Sequence, residues 1–100
     1  MIIAIVDFSV APENQAVALN ILAGDGVAAT AIKGNLGFRA FTDAGSKTHV
    51  GLMHEWTDQA AFDAYVASPG FATVGAQLRP LMTGAPTSRR FEATLYETVR

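Results

Sequence analysis

His54 is the side chain in this sequence best placed to do chemistry. It lies in the run Leu52-Met53-His54-Glu55-Trp56, where strand alternation puts Leu52, His54 and Trp56 on one face and His49, Met53 and Glu55 on the other. An imidazole on an apolar strand face is either a structural group held by a hydrogen bond or the edge of a cavity. With an unperturbed pKa of about 6.5 it suits proton abstraction at neutral pH. Trp56 divides in the same way, between core and the wall of a pocket that gives its indole N–H a partner. Phe62 and Tyr65 fall on one side of the segment that follows, so His54, Trp56, Phe62 and Tyr65 enclose an aromatic slot if this strand face meets the helices. Arg39, between Phe38 and Phe41, is either an oxyanion partner or a solvated or interfacial charge.

Other chemistries fail on spacing. His54-Glu55 opens like HExxH, but Asp58 stands where the second His is required and the pair reads as strand, so the zinc-binding helix pair is missing. Gly24-Asp25-Gly26 is not a dinucleotide fingerprint, because Ala29 replaces the third glycine and the segment reads as helix interior. No serine has a GxSxG context, and cysteine is absent, which removes thiol nucleophiles, zinc fingers and disulfides. No metal, flavin or nicotinamide cofactor is expected.

The elements that must position these groups follow from periodicity. Residues 2 to 10 alternate as a first strand. Pro12 and Glu13 open a helix over 12 to 32 with Val17, Ile21, Ala28 and Ile32 at helical spacing, and Gly24-Asp25-Gly26 predicts a bend or room for a ligand within it. Gly34 to Asp43 is a second strand, a short loop follows, and Lys47 to Trp56 returns. Thr57 or Asp58 caps the next helix. Ser68-Pro69 starts another segment with Phe71, Val74, Leu78 and Leu81, which Pro80 kinks or ends. Arg89 to Val99 is a final strand, on which Tyr96 alternates with Leu95.

The predicted order β-α-β-β-α-β specifies one α+β domain over 1–100, a ferredoxin-like four-stranded antiparallel sheet with helices on one face. Hydrophobic residues make up 50% of the chain and charged ones 16%, which fits a single packed core and not a disordered segment. Ile2 to Ile5 is apolar on both strand faces, so the bare face of the sheet is expected to pack on a second copy, giving a homodimer. A formal charge of -2 with scattered Lys and Arg argues against nucleic acid. The absence of any stretch near the ~20 apolar residues of a membrane span, or of a basic leader, argues for a cytoplasmic protein without a membrane partner.

The sequence resembles the antibiotic biosynthesis monooxygenase domain family through GNLGFRAFTD at 34 to 43, VGLMHEWTDQAAFDAY at 50 to 65 and SPGF at 68 to 71, a likeness over nearly the whole chain. The resemblance implies a ferredoxin-like subunit paired into a dimeric α/β barrel, with a cavity between sheet and helices. Members of the family include cofactor-independent oxygenases of quinols and polycyclic phenols, haem-degrading relatives, and copies with no known reaction. Phenol oxygenases place an Asn, a Trp and a Tyr on the third strand and following helix. Here Trp56 is kept, Leu52 and Phe62 stand at the other two positions, and Arg79 has a different spacing from the family Arg. The haem branch's Asn, Trp and axial His fall on Val6, Tyr65 and Gly75, which disfavours haem degradation.

The expected activity is therefore oxidation of a small hydroxylated aromatic, a quinol or phenol, by molecular oxygen. In that reading His54 is the base, and Trp56, Phe62, Tyr65, Leu52 and Arg39 shape the substrate pocket. The alternative is a non-catalytic dimeric domain that binds a small molecule or serves structure alone. A pocket of at least about 300 Å³ lined by His54 and Trp56 would keep the binding and enzyme readings, and a filled core would leave only the structural one.

Overall fold

The computed structural model describes residues 1–100. Strand β1 (Ile2–Ser9) is one of the two inner strands, and its alternate side chains Ile2, Ala4 and Phe8 are buried on one face. It pairs antiparallel with β3 (His49–Trp56) on one side and β4 (Thr87–Glu92) on the other, and β2 (Asn35–Phe41) flanks β3, in the order β2-β3-β1-β4. The buried face of this four-stranded sheet carries α1 (Gln15–Thr30), α2 (Gln59–Val66) and α3 (Pro69–Leu78), a ferredoxin-like α+β arrangement. The register sets Ala4 opposite His54 and His54 opposite Phe38, so these three side chains share the helix-facing side.

Helix α1 corrects the predicted span of 12 to 32. Pro12–Asn14 forms a single 3-10 turn and the α-helix occupies Gln15–Thr30. It runs through Gly24-Asp25-Gly26 without interruption, so the predicted bend is absent. Its buried residues are Ala18, Leu22, Asp25 and Ala29, one position round from the predicted stripe, and Val17 is 47% exposed. Gly26 is needed for close packing: a Cβ there would lie 2.9 Å from Cδ1 of Phe38, whose ring occupies that space. Gly34 makes the turn into β2 at φ +91°, a conformation that glycine adopts without steric cost.

The second crossover is two helices, because the start signals at both ends are used. Asp58 caps α2 by accepting from the Ala61 N–H at 2.9 Å, and Ser68 caps α3 by accepting from the Phe71 N–H at 3.2 Å. Pro80 lies in the 3-10 turn Arg79–Leu81 that ends this run.

The last strand is shorter than the predicted Arg89 to Val99. Ile2 pairs with Glu92, the Met1 amino group donates to the Ala93 carbonyl at 2.8 Å, and the ladder ends there. Beyond it the chain has no regular structure, and Tyr96 is 94% exposed.

On the opposite face of the sheet, Ile3, Ile5 and Met53 line up with Phe41 and Phe91, and no element of this chain covers them. Polar pairs border these residues: His49 Nε2 is 2.8 Å from Asp7 Oδ1, and Arg39 Nη2 is 3.9 Å from Glu55 Oε1. No helix is long and apolar enough to cross a membrane.

Candidate active site

The core between sheet and helices consists of two clusters, one around Phe8, Leu22, Val50 and Leu78, the other around Ile2, Ala29, Trp56, Phe62 and Tyr65. A cavity of about 240 Å³ draws its lining from both, including Ala4, Leu22, Leu52, Phe62, Tyr65 and Leu78. It is smaller than the 300 Å³ set above, yet the core is not filled. An apolar cavity of roughly 150 Å³ accepts one benzene, so this one has room for one or two rings.

His54 is 4% exposed and lines this cavity. Its Nδ1 accepts a 2.7 Å hydrogen bond from the indole Nε1–H of Trp56, which is itself fully buried. An indole nitrogen only donates, so Nδ1 must carry its lone pair and neutral His54 must carry its proton on Nε2. Every buried side-chain nitrogen and oxygen has a partner, and His54 Nε2 makes no hydrogen bond within the chain, so that N–H opens into the cavity. Burial, and secondarily the positive charge of Arg90, lower the His54 pKa to about 4. The ring packs against Phe62, with centroids 5.9 Å apart and nearly parallel planes, and edge-on to Tyr65 at 5.4 Å.

Tyr65 reaches across from α2 to α1, where its hydroxyl donates to Asp25 Oδ2 at 2.7 Å. Asp25 is 7% exposed and also lines the cavity. Burial, with Asp25 as hydrogen-bond acceptor and negative neighbour, holds the Tyr65 phenol protonated far above its ordinary range. Arg79, following α3, and Arg90, on β4, complete the lining beside Ser88 and Pro86. No group of three or more His, Asp or Glu side chains converges to hold a metal ion.

Of the expected pocket residues, Leu52, His54, Phe62 and Tyr65 come together at the cavity, and two do not belong to its wall. Trp56 sits behind His54 as its hydrogen-bond donor and stacks on Tyr65 at 5.0 Å, so it supports the site from the core. Arg39 pairs with Met53 across β2 and β3, on the bare face, and its side chain is 74% exposed beside Glu55. Strand alternation forces this: Phe38 and Ala40 take the helix side, so Arg39 cannot. The two ring nitrogens of His54 have different surroundings. The lone pair needed for proton abstraction is already engaged by Trp56, and the atom that faces the cavity is a donor.

The sequence reading missed Asp25 and Arg90. A signal for Asp25 existed, since it lies three residues after Leu22 and four before Ala29, on the inward stripe of α1. Arg90 gave none, because β4 looks like any edge strand until its register against Ala4 is known.

The lowered His54 pKa makes a stability prediction. The unfolded chain protonates this residue near its ordinary value of 6.5 and the folded chain only near 4, so stability is fully retained above the first value and falls as pH drops between them. The loss amounts to roughly 3 kcal/mol by the lower value. Urea melts of wild type and His54→Gln from pH 7.5 to 4.5 read it out: the wild type loses more stability, and parallel curves would contradict the assignment.

A model of the family described as antibiotic biosynthesis monooxygenase matches residues 1–77. Among solved structures, one from Deinococcus radiodurans, provisionally described as an antibiotic biosynthesis monooxygenase, superposes with TM-score 0.89 at 21% identity, covering 100% of this chain and 99% of that one. Another antibiotic biosynthesis monooxygenase gives TM-score 0.84 at 20% identity over 95% of this chain and 100% of its own. Rv0793 from Mycobacterium tuberculosis gives 0.85 at 19% identity over 98% of both. At these identities the structural likeness speaks for the fold. No curated protein matches the chain.

Proposed function

Because the chain belongs to the antibiotic biosynthesis monooxygenase family, we propose that it oxidises a small hydroxylated aromatic, a quinol or phenol, with molecular oxygen and without a resident cofactor. The observation that carries this reading is the His54 Nε2–H opening into an apolar cavity, with Trp56 fixing the tautomer behind it.

Deprotonation turns a quinol into a stronger electron donor towards oxygen. His54 Nε2–H donates to the substrate oxygen and stabilises its anionic form. A neutral imidazole in a water-poor site does this without an ionised group to solvate. Asp25, the carboxylate lining the same cavity, takes the proton, and the Tyr65 hydroxyl holds it in place. The electron count closes without a further reductant: a benzene quinol and one dioxygen give a hydroxyquinone and one water. Leu52 and Phe62 form apolar walls of the slot against which the ring packs.

Oxygen uptake with a panel of single-ring and fused-ring quinols tests the proposal. Saturable uptake above the uncatalysed rate is expected, with one water formed per oxygen consumed. Binding without uptake would leave the non-catalytic reading instead.

The bare face fits the same reading. We propose that a second copy covers Ile3, Ile5, Met53 and Phe91, and the chain is then a dimer by sedimentation at micromolar concentration; a stable monomer would refute this.

A further inference from the structure

Two solvent-exposed arginines contribute to the lining of a cavity that is otherwise mostly apolar, and neither is ion-paired within the chain. Arg79 and Arg90 both contribute to the wall, and the chain's ion pairs involve only Arg39 and His49. Each guanidinium lies near another lining residue. Arg90 lies opposite Ala4 in the sheet register, on the helix-facing side, with Cζ 5.0 Å from the centre of the Phe62 ring. Arg79 folds back over Gly75, where a Cβ would come within 2.8 Å of its Nη1.

We propose that Arg79 and Arg90 form a subsite for the carboxylate of an aromatic substrate, so that the ligand is a hydroxyaryl carboxylate with its ring among Phe62, Leu52 and Phe71. This rests on the cavity being the substrate site, as proposed above, and names the class of molecule that fills it. Four observations carry it. Two guanidiniums lack a carboxylate within the chain, and guanidinium is the side chain whose planar donors match that group. The carboxylate already in the cavity, Asp25, accepts from Tyr65. The positive charge of Arg90 is felt at His54, so its guanidinium acts on the cavity interior. The remaining lining is largely apolar, which suits a ring and leaves the arginines as the place for a charged substituent.

The test compares acids with their uncharged isosteres by calorimetry: 4-hydroxybenzoate against 4-hydroxybenzamide, and 6-hydroxy-2-naphthoate against its carboxamide. At low salt at least one acid should bind about 10- to 100-fold more tightly than its amide, the range for a charge-assisted bidentate contact. Arg90→Gln and Arg79→Gln should each reduce that preference and the double variant abolish it, while circular dichroism and the urea midpoint report that the variants fold. Equal binding of acid and amide, a preference that survives in the folded double variant, or no binding of either acid would each overturn the subsite. Failure here is distinguishable from failure of the oxygenase reading. Acid-selective binding without oxygen uptake defeats only the chemistry, and uptake with neutral quinols but no acid preference defeats only the subsite.

Discussion

His54→Leu lowers quinol turnover by about 100- to 1,000-fold, the loss expected when one preorganised donor to a developing oxyanion is removed. The companion variant decides what His54 does. Glutamine offers a carbonyl to the Trp56 indole and an N–H₂ to the cavity, so His54→Gln keeps both hydrogen bonds and recovers much of the lost rate. An amide has no useful basicity, so if His54 were a proton acceptor, Gln would be as poor as Leu. Two folded variants of equally low activity would therefore sink the donor role. The pH profile gives a second reading. His54 is already neutral above pH 5 because its pKa is near 4, so kcat should show no inflection from this residue between pH 6 and 8. The substrate's own ionisation must be subtracted by measuring the uncatalysed rate at each pH.

Asp25→Asn and Tyr65→Phe separate chemistry from stability at the second pair. In the first variant the amide oxygen still accepts from the Tyr65 hydroxyl, and a buried charge is gone, so the fold should be as stable as wild type or more so. Turnover should nevertheless fall by about 100- to 10,000-fold, the range for loss of a positioned general base. Tyr65→Phe removes the donor at 2.7 Å and leaves a buried carboxylate without it, which costs about 1–3 kcal/mol of stability. Urea midpoints and oxygen-uptake rates measured on the same preparations check both. Near-wild-type turnover in folded Asp25→Asn would remove Asp25 from the reaction and leave it a structural acceptor for Tyr65.

Packing sets which atom of His54 is presented to the cavity. In the neutral state His54 has one lone pair and one N–H. Which of them faces the cavity is decided by Trp56, two residues away in sequence and on the same face of the same strand. Their adjacency was legible from alternation. The direction of the indole N–H was not, since it depends on the side-chain rotamers in the core.

What the sequence determined by itself was the local periodic order: the alternation that puts Leu52, His54 and Trp56 on one face, the caps at Asp58 and Ser68, and the succession of strands and helices that makes a ferredoxin-like sheet. These depend on residues within a few positions of one another, so they survive in a linear reading. Tertiary structure decided the rest. That α1 presents Ala18 inward and not Val17 is set by its packing on the sheet, where Gly26 meets the Phe38 ring, and Asp25 meets Tyr65 across 40 residues. Arg90 enters the cavity wall through its register opposite Ala4, and β4 ends at Glu92 opposite Ile2. The cavity exists because two hydrophobic clusters built from distant segments meet without filling the space between them, and no local pattern of apolar residues encodes a space.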